Sequence, residues 1–160
     1  MPRESYQDRM AELRADVTEM GDLVTERVGT ALTALETGDE ALAREVIEGD
    51  DEINDAYLDL EADCIDLFAL QQPVAGDLRF ISSTFKILTD LERIGDLATN
   101  LGAYALSASW ETTPEVGVVA IGRDAVALVE RSLQAYTAED VSACRATAAA
   151  DDDIDPLCQA

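Results

Sequence analysis

The sequence predicts an all-α protein built as an antiparallel helical bundle. Apolar residues recur at alternating steps of three and four over most of the chain. No stretch alternates apolar with polar residues as a half-buried strand does, and no Asn-Gly hairpin signal occurs. Short connections between long amphipathic helices then make consecutive helices antiparallel neighbours.

The first helix has an inward stripe of Met10, Leu13, Val17, Met20, Val24, Val28, Leu32 and Leu35. It breaks at Thr37-Gly38-Asp39, where glycine suits the position after a helix and Asp39 can cap the next one. The second helix carries Leu42, Val46, Ile53, Tyr57, Leu60, Cys64 and Leu67, and ends near Gln71-Gln72-Pro73. Pro73 is expected in the first turn of a third helix, with Asp77 favourable near its positive end. That helix shows Leu78, Ile81, Phe85, Leu88, Leu91 and Ile94, and continues to about Ser107. Thr112-Thr113-Pro114 is expected to start a fourth helix that runs to about Tyr136. Glu139-Asp140 is expected to open a fifth that reaches the C-terminus.

An internal repeat organises these helices. A shift of 101 residues without gaps superposes Leu32 on Leu133, Ala34 on Ala135, Asp39 on Asp140, Arg44 on Arg145, Asp50 on Asp151 and Ile53 on Ile154. The two helix breaks coincide as well. The reading is a first three-helix unit at residues 6–110 and a partial second unit at 111–160. The second holds two helices and lacks a counterpart of the third.

Composition narrows the function. The 160 residues hold 34 acids, 11 basic residues and no histidine, for a net charge of −23. Such a surface repels phosphate backbones, which argues against nucleic-acid binding. Without histidine there is no Ser-His-Asp triad, no Cys-His pair and no HExxH helix. Ten of the basic residues are arginine and only Lys86 is lysine. The acids are spread along the chain rather than clustered against one basic partner, so the charge reads as adaptation to a high-salt cytoplasm. Cys64, Cys144 and Cys158 form no CxxC and are expected as small core residues in a reducing compartment. No signal peptide opens the chain and no apolar run approaches bilayer-spanning length, so the expectation is a cytoplasmic protein without membrane insertion.

Chemistry is expected on the third helix. Glu92, Asp96 and Asn100 are spaced i, i+4, i+8, which lines their oxygens along one face. Such a row suits hard cations or a small oxo-metal cluster. A solvated charged stripe is the competing account, but residues 71–110 contain four acids while the other 120 positions hold thirty. Gly95 would let a backbone or an ion approach closely. Asp50 falls on or beside the inward stripe of the second helix. There it could face the same metal, pair with Arg93 or Arg79, or serve as a cap or rim ion pair.

The stretch Gln71-Gln72-Pro73-Val74-Ala75-Gly76-Asp77-Leu78-Arg79, followed by Asp90-Leu91-Glu92-Arg93-Ile94-Gly95-Asp96 and Asn100, resembles the PhoU family of phosphate-uptake regulators. Asp50-Asp51-Glu52-Ile53 and its echo Asp151-Asp152-Asp153-Ile154 match that family's repeated pattern. The resemblance implies two tandem three-helix units and a cytoplasmic, non-enzymatic accessory of the phosphate transporter. It implies contact with the transporter's ATPase subunits and with a membrane sensor kinase, and a homodimer. It further implies a bound metal, iron, zinc, magnesium or manganese, through an E(D)xxxD motif that Glu92 and Asp96 match. Leu97 stands where the family often has His, Ala103 where an acid is frequent, and Asn54 where Asp is frequent. The alternatives are a truncated PhoU domain serving as an assembly module without metal, and a carboxylate-bridged di-iron enzyme. The last normally needs Glu-x-x-His pairs, which this chain lacks.

Overall fold

The computed structural model describes residues 3–73, 75–108 and 117–159. All its regular elements are helices: α1 (Arg3–Thr37), α2 (Glu40–Glu48), α3 (Asp50–Gln71), α4 (Ala75–Ser107), α5 (Val118–Ala138) and α6 (Val141–Cys158). The expected bundle is present. One long second helix was expected, however, and its path is divided at Gly49. Arg27 from α1 causes the division: its guanidinium lies where a Gly49 side chain would stand, and it bonds Glu52 and the Glu45 carbonyl. Five helical paths result, the second of them bent.

Turn chemistry fixes the other boundaries. Gly38 takes a left-handed φ of 70° after α1, and Asp39 then caps α2 by accepting from the Ala41 and Leu42 amides. The α5–α6 turn repeats this conformation without glycine. Glu139 takes φ 53° and Asp140 caps α6 through the Ala143 amide. Glu139 thus ends α5 rather than opening α6. Pro73 precedes α4 instead of lying in its first turn, because left-handed Gln72 (φ 45°) and Ala75 (φ 49°) bracket the connection. The expected start of the fourth helix at Thr112-Thr113-Pro114 lies outside the described residues.

Helix α1 is the spine, packing against α2, α3, α4 and α5. Its stripe of Met10, Leu13, Val17, Met20 and Val24 joins Ile53, Leu60, Cys64 and Leu67 from α3 and Ile81, Leu88 and Leu91 from α4 in the main core. Burying side chains of this size stabilises by roughly 1.5–3 kcal/mol each. Farther along α1, Ala31 meets Val46 and Ala98, while Ala34 and Leu35 meet Ala43 and Ala105. Small residues there let three helices approach closely.

Helix α5 crosses α1 in antiparallel sense through a reciprocal contact. A Cβ on Gly21 would collide with the Leu133 side chain, and one on Gly122 would stand 2.6 Å from Leu32 Cδ2. Gly21 and Gly122, like Leu32 and Leu133, are 101 positions apart. Each leucine therefore fills the gap that the opposite glycine leaves. The crossing is edged by Arg14–Glu139 at 2.7 Å, Arg123–Glu36 at 2.9 Å and a Thr18–Thr137 hydroxyl pair at 2.8 Å. Helix α6, by contrast, packs on α5 alone among the described elements. Cys144 and Cys158 are exposed on α6, and only Cys64 is in the core. The core expectation fails for those two because α6 has a single covered side, on which only Thr147 is buried.

Candidate functional site

The sequence row Glu92, Asp96, Asn100 starts on α4 beside its buried stripe of Leu88, Leu91, Gly95, Ala98 and Gly102 and turns outward along the helix. Glu92 is half-buried, whereas Asp96 and Asn100 are exposed. Gly95 sets the spacing to the next helix. A Cβ there would stand 3.0 Å from Ile53 Cγ2, so the residue that a close approach called for admits a side chain of α3. With Ile53 seated, the N-terminal turn of α3 lies beside α4 and brings Asp50 with it.

Asp50 is the first residue of α3, where its charge complements the helix dipole. Its Oδ1 accepts a hydrogen bond from Thr99 Oγ1 at 3.0 Å, and the same hydroxyl lies 3.3 Å from the Gly95 carbonyl. Among the described residues, neither Arg93 nor Arg79 forms an ion pair. Asp50 thus bonds across to α4 through Thr99, while no side chain caps the start of α3. Thr99 was not singled out in the sequence. A hydroxyl four residues after a buried glycine, on an apolar seam, was the available signal.

Electrostatically the three acids form one group. Burial pushes the Glu92 carboxyl above the usual range, and the neighbouring Asp96 carboxylate and then Asp50 push it further, while Arg93 pulls the other way. A cation would relieve that repulsion, and carboxylate and amide oxygens are donors for hard metals. Among the described residues, however, no three Asp, Glu, Cys or His side chains converge closely enough to hold an ion. The donor chemistry fits a metal, and the arrangement of the side chains does not close a ligand set. The family-pattern departures lie nearby: Leu97 is 59% exposed, Ala103 is exposed and Asn54 is half-buried.

Leu97 and Tyr104, two turns apart and each 59% exposed, share α4 with Asp96 and Asn100. The outer side of this helix is thus a mixed acidic and apolar strip. No helix among the described residues is long and apolar enough to cross a membrane.

Comparison with known proteins agrees with this architecture. Residues 17–105 match the family model described as the PhoU domain. A phosphate-specific transport system accessory protein PhoU homolog from Aquifex aeolicus is 35% identical over 150 residues, 92% of this chain and 68% of that protein. The crystal structure of PhoU from Pseudomonas aeruginosa matches with a TM-score of 0.88 and 32% identity, covering 95% of this chain and 74% of that one. The crystal structure of the phosphate transport system regulatory protein PhoU from Streptococcus pneumoniae matches with a TM-score of 0.89 and 28% identity, covering 95% and 72%. The chain spans about two thirds to three quarters of the length of these relatives.

Proposed function

Because this chain belongs to the PhoU family, we propose that it is a regulator of phosphate transport that acts by protein contact. In this reading it dampens phosphate uptake and phosphate-starvation signalling when phosphate is plentiful, and works in the cytoplasm as a homodimer. The observation that carries the reading is identity above 30% over nearly the whole chain together with a shared fold. Its partners are the ATPase subunit of a phosphate ABC transporter and a membrane sensor kinase. An inhibitor of this kind needs only to prefer one transporter conformation over another, by a differential of about 1–3 kcal/mol.

The strip on α4 supports contact as the mode of action, since Leu97 and Tyr104 offer apolar anchors beside acidic residues. The metal role belongs to Glu92, Asp96, Asn100 and Asp50, with iron, zinc, magnesium or manganese as the ion. Mutual repulsion among the three acids favours an ion there. The open ligand set favours the second reading, a helical interaction module that works without metal.

Two measurements test these statements. Purified protein, mixed in molar KCl with the phosphate-transporter ATPase subunit of the same organism, should retain it, and a Leu97→Asp/Tyr104→Asp variant should lose at least tenfold in affinity. Equal weak binding by both proteins would remove α4 as the contact. Elemental analysis should find metal in the wild type and none in Glu92→Ala/Asp96→Ala. Negligible metal in both would leave the interaction module.

A further inference from the structure

Two exposed rows run side by side along the outside of α3 and α4. On α3, Leu58, Ala62, Ile65 and Ala69 follow in steps of four and three, the spacing of a buried stripe. Yet all four are exposed, and Leu58 and Ile65 by more than half. On α4, Arg79, Lys86 and Arg93 stand seven residues apart, so three cations share one side of the helix over about 21 Å. All three are exposed, and none forms an ion pair among the described residues.

The packing of α3 on α4 brings the rows together. Phe68 meets Phe85 at 5.9 Å between ring centroids, and Tyr57 lies beside Thr89 and Glu92. Leu58 and Ile65 each stand three residues before a residue on this side of α3, Glu61 and Phe68, and so are their neighbours on the helix surface. Lys86 and Arg93 flank Phe85 and Thr89 in the same way on α4. Because the helices run antiparallel, Arg93 falls near the level of Leu58 and Lys86 near that of Ile65. Acids are sparse on this face. Residues 78–89 contain none, and Asp90 turns toward Val129 of α5. Asp59, Asp63 and Asp66 gather on the far shoulder of α3, beside Arg9 and Asp16 of α1. Glu61 is engaged by the Tyr57 hydroxyl at 3.1 Å.

We propose that the outer α3–α4 face is a docking surface for an acidic amphipathic helix of a partner protein. The partner's apolar side chains, in steps of four and three, seat on Leu58, Ala62, Ile65 and Ala69, and acids spaced seven residues apart meet Arg79, Lys86 and Arg93. Charge complementarity selects the acidic helix. The net charge of −23 disfavours an extended polyanion, a nucleic acid or an anionic bilayer, which would face the whole surface rather than one helix. The face borders the Leu97–Tyr104 strip at Arg93, but it needs no role in phosphate transport, since it rests on exposure and charge alone.

The probe is a labelled synthetic helical peptide with leucine in steps of four and three and glutamate at every seventh position beside them. In molar KCl its fluorescence anisotropy should show saturable binding to the wild-type protein. Arg79→Glu/Lys86→Glu/Arg93→Glu and Leu58→Asp/Ile65→Asp should each weaken binding at least tenfold at unchanged helicity by circular dichroism. Arg44→Glu/Arg131→Glu/Arg145→Glu changes the net charge equally and should bind as the wild type does. So should Leu97→Asp/Tyr104→Asp, which separates this face from the α4 contact tested above. No binding by the wild type, or equal loss in the two triple variants, would refute the face. A wild-type dimer in sedimentation that Leu58→Asp/Ile65→Asp splits would make the occupant a second copy. Capture by phosphatidylglycerol vesicles that the Arg79, Lys86 and Arg93 substitutions abolish would make it a membrane. Either result would overturn the proposal.

Discussion

At the scale of single residues, the buried threonines Thr25, Thr84 and Thr147 each have a hydrogen-bond partner, whereas the core hydroxyl of Tyr6 has none among the described residues. Thr84 is fully buried on α4, and its hydroxyl pairs with Tyr136 of α5 at 2.9 Å. Tyr136 stacks on Phe80 at 5.8 Å between centroids, and Arg14 lies over the Phe80 ring at 4.7 Å. Tyr136→Phe keeps the stack and orphans the Thr84 hydroxyl, so it should cost about 1–2 kcal/mol in chemical unfolding. Thr84→Val/Tyr136→Phe should recover much of that loss, because the pair then leaves nothing unsatisfied. Cys64 shows burial acting on a nucleophile. Desolvation, then the charges of Asp63 and Glu61, push its thiol up to about 12 from the ordinary 9.0. Its folded pKa exceeds the unfolded one, so its stabilising contribution is whole below about pH 9 and fades as pH rises toward 12. At pH 8 the native protein should therefore expose two reactive thiols, Cys144 and Cys158, and a third only after denaturation. The candidate site was legible as a row, because i, i+4, i+8 spacing is a property of α4 alone. Thr99 and the approach of Asp50 were not, because they depend on how α3 docks.

Between helices, small residues decide the geometry. Gly102 of α4 meets the backbone of α2, where a Cβ would lie 3.0 Å from the Ala43 carbonyl and 3.3 Å from Ile47 Cγ1. A backbone neighbour cannot swing aside as a side-chain tip can. Gly102→Val should thus destabilise by about 3 kcal/mol despite the better helix propensity, read as a lower denaturation midpoint at constant slope. The same variant should loosen the Ala34, Ala43 and Ala105 cluster, seen as faster hydrogen exchange in α2. Periodicity and turn residues made α1, α4, α5 and α6 visible in the sequence, and α2 and α3 only as one continuous helix. The break at Gly49 was hidden, because its cause is Arg27 on another helix. The repeat makes the comparison internal. At the positions 101 residues later stand Ala150 and Leu128, neither glycine nor arginine, and α6 runs unbroken through them. A lone glycine in a helical pattern carries too little information to fix a bend without the partner that exploits it.

For the molecule as a whole, the excess of acid is the dominant long-range force. A charge of −23 is distributed over a thin bundle in which the described ion pairs are Arg14–Glu139, Arg27–Glu52, Arg44–Glu40 and Arg123–Glu36. In each of them the carboxylate side chain is more than half exposed, so each contributes at most about 1 kcal/mol, and salt screens that gain. Repulsion among the unpaired acids is the larger quantity. It acts over a screening length of about 10 Å at 0.1 M salt, and about 3 Å at 1 M. The two contributions respond to salt with opposite sign, so their balance can be measured. Melting temperature should rise steadily from 0.1 to 2 M KCl, with most of the gain below 1 M where screening changes fastest. Sucrose, at a concentration that stabilises ordinary proteins equally, should recover only part of it, since it strengthens burial without screening charge. A melting temperature that fell with KCl would mean that the ion pairs outweigh the repulsion, and the acid excess would then need a specific basic partner to account for it.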